Sequence, residues 1–256
     1  MKREAYRIDE ISAINIYDER VADRRPVIMI LHGAGVNAGK ESGLETAEVF
    51  ASLGYFAVVF DACGYGDSRS AAQDVRTPLG IFANYRRTSS YVNRLIHHLS
   101  EHPAADASKV GLTGFSMGAH VIYYYLAHER VHAVKVAVPM SGSPRWDNVA
   151  RRFATTLEHF KHLAQEESIQ EFERQVKEYH PVAYLNDMGD FPLLLTTGEW
   201  DEKALAEDVA ALYHKLASHY SDPDRIKLTI YKGIGHVRTE QMMRDALEFL
   251  KKYLRE

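Results

Sequence analysis

Ser116 lies within Gly114-Phe115-Ser116-Met117-Gly118, with a glycine two places to either side. An apolar run at 109–113 precedes it, and a helix-like segment at about 119–127 follows. This is the strand–turn–helix pattern that lifts a nucleophilic serine clear of a sheet. The requirement is steric. So sharp a turn holds the serine in a strained backbone conformation, and only small residues at its flanks avoid collision. The first turn of the next helix aims N–H groups at whatever binds there.

A serine hydroxyl is a poor nucleophile and needs a base to take its proton. His236, in Gly233-Ile234-Gly235-His236, is that base, because imidazole accepts and returns a proton near neutral pH. Asp201, in Gly198-Glu199-Trp200-Asp201, is the carboxylate expected to hold the ring in one tautomer and to stabilise the imidazolium. Glu199 and Asp147 are rival acids, and Asp201 could instead cap a helix from Lys203 onward. The negative oxygen of a tetrahedral intermediate calls for preorganised donors. The N–H of Met117 is one. The second is expected from the glycine-rich His32-Gly33-Ala34-Gly35, from Ala34 first and Gly35 as the alternative.

These groups need a scaffold that gathers distant residues. Apolar runs at 26–31, 55–60, 109–113, 133–140, 191–197 and 226–231 read as strands, the nearly continuous ones covered on both faces. Between them lie helical patterns at 39–53, 77–99, 119–127, 205–216 and 237–254, with Gly54 stopping the first and Thr77-Pro78 opening the second. Residues 6–17 alternate loosely and suit one or two antiparallel edge strands. Such alternation predicts an α/β fold with a mostly parallel, doubly wound sheet. His32, Asp61, Ser116, Asp201 and His236 all fall just past strand C-termini, the edge where chemistry collects in such sheets. Residues 146–190 interrupt the alternation. They read as helical, with one apolar stripe at Val149, Phe153, Leu157, Phe160 and Ala164 and a second at Ile169, Phe172, Val176 and Tyr179.

Composition narrows the classes of function. At 256 residues the chain suits a single α/β domain, and 46% apolar with 26% charged residues is ordinary for a globular protein. A net charge of −4 offers no footprint for nucleic acid, and no apolar stretch is long enough to span a membrane. The opening Met1-Lys2-Arg3-Glu4-Ala5-Tyr6-Arg7 lacks the apolar core of a secretion signal, so a cytoplasmic protein is expected. One cysteine, Cys63, excludes an internal disulfide. The 13 histidines invite a metal reading, but the His128/His132 pair lacks a completing carboxylate and His97/His98 diverge on a helix. Neither metal nor cofactor is expected, and the sequence leaves the oligomeric state open.

The order Ser116, Asp201, His236, with His32-Gly33 ahead of them, resembles the α/β-hydrolase family over residues 26–254. The Gly198-x-x-Asp201 and Gly235-His236 spacings are similar to those of compact esterases related to the prolyl-oligopeptidase catalytic domain. The resemblance implies an α/β-hydrolase fold over 1–256, with 146–190 inserted as a helical lid. It also implies that Trp146, Phe153 and Phe160 line an acyl pocket, and that the Gly-x-Gly-x-Ser loop at 64–68 is structural. The chain has no room for the peptidase's N-terminal propeller, which favours a small-molecule ester over a peptide. The expected activity is hydrolysis of carboxylic esters through an acyl-enzyme. An acyltransferase or peptidase with the same triad is one alternative, and a non-catalytic binding protein on this fold is the other.

Overall fold

In the computed structural model, which describes residues 1–35, 38–71, 78–148, 166–185 and 188–255, the chain opens with an antiparallel pair, β1 (Lys2–Ile8) and β2 (Ile11–Tyr17). Six more strands follow: β3 (Arg25–Leu31), β4 (Phe56–Phe60), β5 (Ala105–Phe115), β6 (Val134–Met140), β7 (Leu193–Gly198) and β8 (Ile226–Tyr231). They make one sheet in the order β1-β2-β4-β3-β5-β6-β7-β8, parallel from β4 to β8 with the first hairpin joined antiparallel at the edge. The helices are α1 (Leu44–Ser52), α2 (Pro78–Ser100), α3 (Met117–His128), α4 (Glu166–Tyr179), α5 (Ala206–Ala217) and α6 (Glu240–Leu254).

The apolar runs form central strands because both their faces are buried. In β3, Val27, Met29 and Leu31 pack toward α2, α3 and α5, while Ile28 and Ile30 pack toward α1 and α6. Each such side chain contributes about 1.5–3 kcal/mol on burial, so this strand is a major share of the stability. Among the described residues, no helix is long and apolar enough to cross a membrane.

Three boundaries differ from the sequence expectation. β5 begins at Ala105, ahead of its apolar run, and reaches past Asp106, Ser108 and Lys109 along β3 through a register shift at Pro26/Val27. The segment at 39–53 splits into a 3₁₀ turn, Lys40–Gly43, and then α1. The last helix starts at Glu240, where the Thr239 hydroxyl accepts the Met242 N–H at 3.2 Å and so fixes the cap.

Of the interruption at 146–190, α4 and the single turn Pro181–Tyr184 are helical. Val176 of α4 joins Phe82, Tyr124 and Trp146 in an aromatic cluster over α2 and α3, and the Arg86 guanidinium lies 4.2 Å from the Tyr179 ring centre. The first apolar stripe, with Phe153 and Phe160, lies outside the described residues.

Candidate active site

Ser116 occupies the turn between β5 and α3 with φ of +54°, a left-handed conformation that a serine adopts only under constraint. Its N–H donates to the Met140 carbonyl at 2.9 Å, which pins the turn to β6. The flanking glycines are sterically fixed. A Cβ on Gly118 would lie 2.3 Å from the Leu31 carbonyl oxygen, and one on Gly114 would lie 2.8 Å from the Gly118 carbonyl carbon. The turn is possible only because β3, β5 and α3 approach one another without side chains at these points.

His236 Nε2 lies 2.8 Å from Ser116 Oγ, and its Nδ1 lies 2.9 Å from both carboxylate oxygens of Asp201. With Nδ1–H directed at a carboxylate, the lone pair of Nε2 faces the serine hydroxyl. Burial raises the Asp201 carboxyl pKa, but hydrogen bonds from His236 and from the N–H groups of Ala204 and Lys203 outweigh it and hold the group below its ordinary value. Asp201 therefore both caps the turn ahead of α5 and faces the imidazole. Of the rival acids, Asp147 is paired with Arg145 at 2.7 Å, and Glu199 accepts the Gly233 N–H at 2.9 Å.

The two loops that bring these residues together are laced by their backbones. Glu199 N–H donates to Tyr231, and Trp200 N–H to Ile234, both at 2.9 Å. Gly198 approaches the Ile234 carbonyl so closely that a Cβ there would sit 2.2 Å from its oxygen. The Phe115 ring, one residue before the serine, packs against the imidazole at 5.1 Å between centres. Such a hydroxyl–imidazole–carboxylate chain is able to move a proton off the serine while its oxygen attacks an acyl carbon.

Gly33 lies beside the serine: a Cβ built on it would be 3.7 Å from Ser116 Cβ and 3.3 Å from the Phe115 ring. This places the loop holding Ala34 and Gly35 along the same rim. Met117 N–H heads α3, with no preceding turn of helix to supply its acceptor. His32 braces the loop. Its Nδ1 is 2.8 Å from the Gly33 carbonyl, and its Nε2 accepts the Ala62 N–H at 3.0 Å, an arrangement that needs the neutral ring. Burial lowers the His32 pKa in accord with that. Behind it, buried Asp61 accepts the backbone N–H of Lys40 at 2.7 Å and of Asp67 at 2.9 Å, with the Lys40 ammonium 3.0 Å away. Asp61 is thus a strut joining two loops. His32, Asp61 and Phe115 act on this rim through partners that no motif in the sequence names; only the shared strand-end position of the first two hinted at them.

Trp146 is 1% exposed, with its ring 4.5 Å from Phe82 and 5.4 Å from Tyr124. Cys63 is buried beside Asn84, with Sγ–Oδ1 at 3.3 Å. Among the described residues, no group of three or more His, Cys, Asp or Glu side chains could hold a metal ion.

A largely parallel sheet with a serine at a strained strand–helix turn defines an α/β hydrolase, and solved structures of that kind overlay on the whole chain. The TT1662 protein of Thermus thermophilus matches with a TM-score of 0.75 at 18% identity, over 100% of both chains. The Pyrococcus furiosus esterase Pf2001 matches at 0.67 and 21% identity, over 99% of this chain and 92% of that one. An acylaminoacyl peptidase matches at 0.70 and 20% identity, with this chain covering 42% of its length. At such identities the overlay speaks for the fold. The family follows from sequence: residues 45–256 match the model of the prolyl oligopeptidase family, and the chain belongs to that family of serine hydrolases. A 52-residue stretch is also 40% identical to the lysophosphatidylserine lipase ABHD12 of Rattus norvegicus, spanning 20% of this chain and 13% of that protein's length.

Proposed function

We propose that the protein hydrolyses small carboxylic esters through an acyl-enzyme. Ser116 attacks the ester carbonyl while His236 takes its proton and returns it to the departing alcohol, and Asp201 orients and stabilises the imidazolium. The N–H groups of Met117 and Ala34 hold the oxyanion; a water that gives its proton to His236 then attacks the acyl carbon, and the proton passes to Ser116 Oγ as the acid leaves. The observation that carries this reading is the unbroken chain of contacts from Ser116 through His236 to Asp201, at 2.8 and 2.9 Å. Residues 146–190 act in this reading as a cover over the acyl group.

A fluorophosphonate probe tests the nucleophile. Labelling of the folded wild type that disappears in Ser116→Ala is the expected result, whereas unlabelled folded protein points to a binding module. A panel of p-nitrophenyl esters graded by acyl length, run beside an N-acylated amino-acid anilide, separates the ester from the peptide reading. Faster turnover of the anilide than of every ester would make the protein a peptidase.

A further inference from the structure

We infer that Arg238 recognises an anionic group on the substrate, so that the preferred esters carry a carboxylate or phosphate on one arm; this rests on the ester-hydrolase reading above. A cavity of about 470 Å³ lies beside the serine's rim, bordered by Gly33, Ala34, Gly35, Ser42, Phe115 and Arg238. That volume suits a small-molecule site, and its walls include the loop beside Ser116 and the ring that packs on His236. Arg238 is exposed, two residues beyond His236, and among the described residues no carboxylate or carbonyl lies within hydrogen-bond or ion-pair distance of its guanidinium. Glu240, two residues further on, pairs with Arg244 at 3.4 Å. A guanidinium without a counter-ion, beside the Phe115 ring and the Gly33–Gly35 loop, can receive a planar or tetrahedral oxyanion through its fork of donors.

The preference is read as a ratio, so that charge effects on ester reactivity cancel. Two pairs of esters are compared in the wild type, Arg238→Gln and Arg238→Lys. For the acyl arm the pair is p-nitrophenyl hemisuccinate and p-nitrophenyl butyrate; for the alcohol arm it is 4-acetoxybenzoate and 4-acetoxyacetophenone. In at least one pair the anionic-to-neutral ratio of kcat/KM is expected to fall about 10- to 100-fold in Arg238→Gln, with Arg238→Lys between. The wild-type ratio is also expected to shrink as salt rises. A phosphate-bearing acetate ester run beside the benzoate shows which anion is preferred. Ratios equal in the wild type and Arg238→Gln for every ester overturn the inference. A second readout keeps the two readings apart: calorimetric binding of monomethyl succinate and phenyl phosphate to Ser116→Ala, with and without Arg238→Gln. If no ester is turned over yet either anion binds only when Arg238 is present, the anion site stands and the hydrolase reading falls. If there is neither turnover nor Arg238-dependent binding, both are overturned.

Discussion

At the scale of single residues, Asp201 shows how one side chain serves fold and site together. Its carboxylate accepts from two backbone N–H groups at 2.9 and 2.8 Å as well as from His236. Both N–H groups bond Oδ1, so in Asp201→Asn that oxygen stays with the turn and the amide NH2 takes the place of Oδ2, facing His236 Nδ1. Turnover in Asp201→Asn is expected to fall on the order of 10⁴-fold through the wrong imidazole tautomer. Stability is expected to fall by about 1–3 kcal/mol, seen as a lower urea midpoint; wild-type turnover in a folded variant would remove Asp201 from the mechanism. His32 gives a prediction in pH. Burial sets its folded pKa below the ordinary 6.5, so on acidification the unfolded chain takes up the proton first. Its contribution to stability is therefore full above 6.5 and is lost as pH falls through the folded value. Asp201, also held low, keeps its contribution down to the ordinary carboxylate range and loses it only below that. Melting temperature should thus decline between pH 6.5 and 5, and His32→Gln, whose amide can both donate and accept, should flatten part of that slope. An unchanged slope would mean that His32 is not the group being protonated.

Among the elements, the close approaches at glycine decide how the rim is assembled. A Cβ on Gly118 meets the Leu31 carbonyl oxygen at 2.3 Å, and one on Gly198 meets Ile234 at 2.2 Å; both obstacles are backbone, which cannot swing aside. Gly118→Ala and Gly198→Ala should each cost about 1–3 kcal/mol or more through overpacking. Calorimetry should show the loss, and Gly198→Ala should also lower kcat, because it displaces the loop that carries His236. The strands were legible in the sequence because burial on both faces leaves uninterrupted apolar runs, and their C-terminal ends told where Ser116, Asp201 and His236 must lie. What was illegible has physical causes. The polar start of β5 at Asp106 and Ser108 is strand because β3 lies alongside it, not because of its own pattern. The inner face of α2 includes Phe82 and Tyr91, which bury against Trp146 and the sheet through contacts that the helical period alone does not specify. On α6 the buried face includes Met242, Phe249 and Tyr253, while Met243 and Leu247 are half-buried, because the sheet beneath sets the helix's rotation. The brace of His32 and the strut of Asp61 arise from contacts with Ala62, Lys40 and Asp67 that no local spacing announces.

On the scale of the whole molecule, the match to the family begins at residue 45, yet the sheet depends on what precedes it. β3 lies between β4 and β5 in the strand order, and it ends in the loop that runs beside Ser116. Its residues 27–31 are at most 4% exposed, and at about 1.5–3 kcal/mol each their burial is worth on the order of 10 kcal/mol. That rivals the entire net stability of a typical domain, about 5–15 kcal/mol. Without β3, β4 and β5 would each lose a parallel partner, and the two core layers would lose the strand that separates them. A fragment comprising residues 45–256 should therefore show no cooperative thermal transition and no fluorophosphonate labelling, even though it retains Ser116, Asp201 and His236. Removing only residues 1–17 takes away an edge hairpin whose Ile11, Ala13 and Ile16 are buried, and should lower the melting temperature while leaving the central strands paired. Probe labelling of the shorter deletion but not of the longer one would locate the requirement in β3 and its loop. If the 45–256 fragment unfolded cooperatively and took up the probe, the chemistry would be independent of the central strand, and the assignment of Ala34 as an oxyanion donor would fall with it.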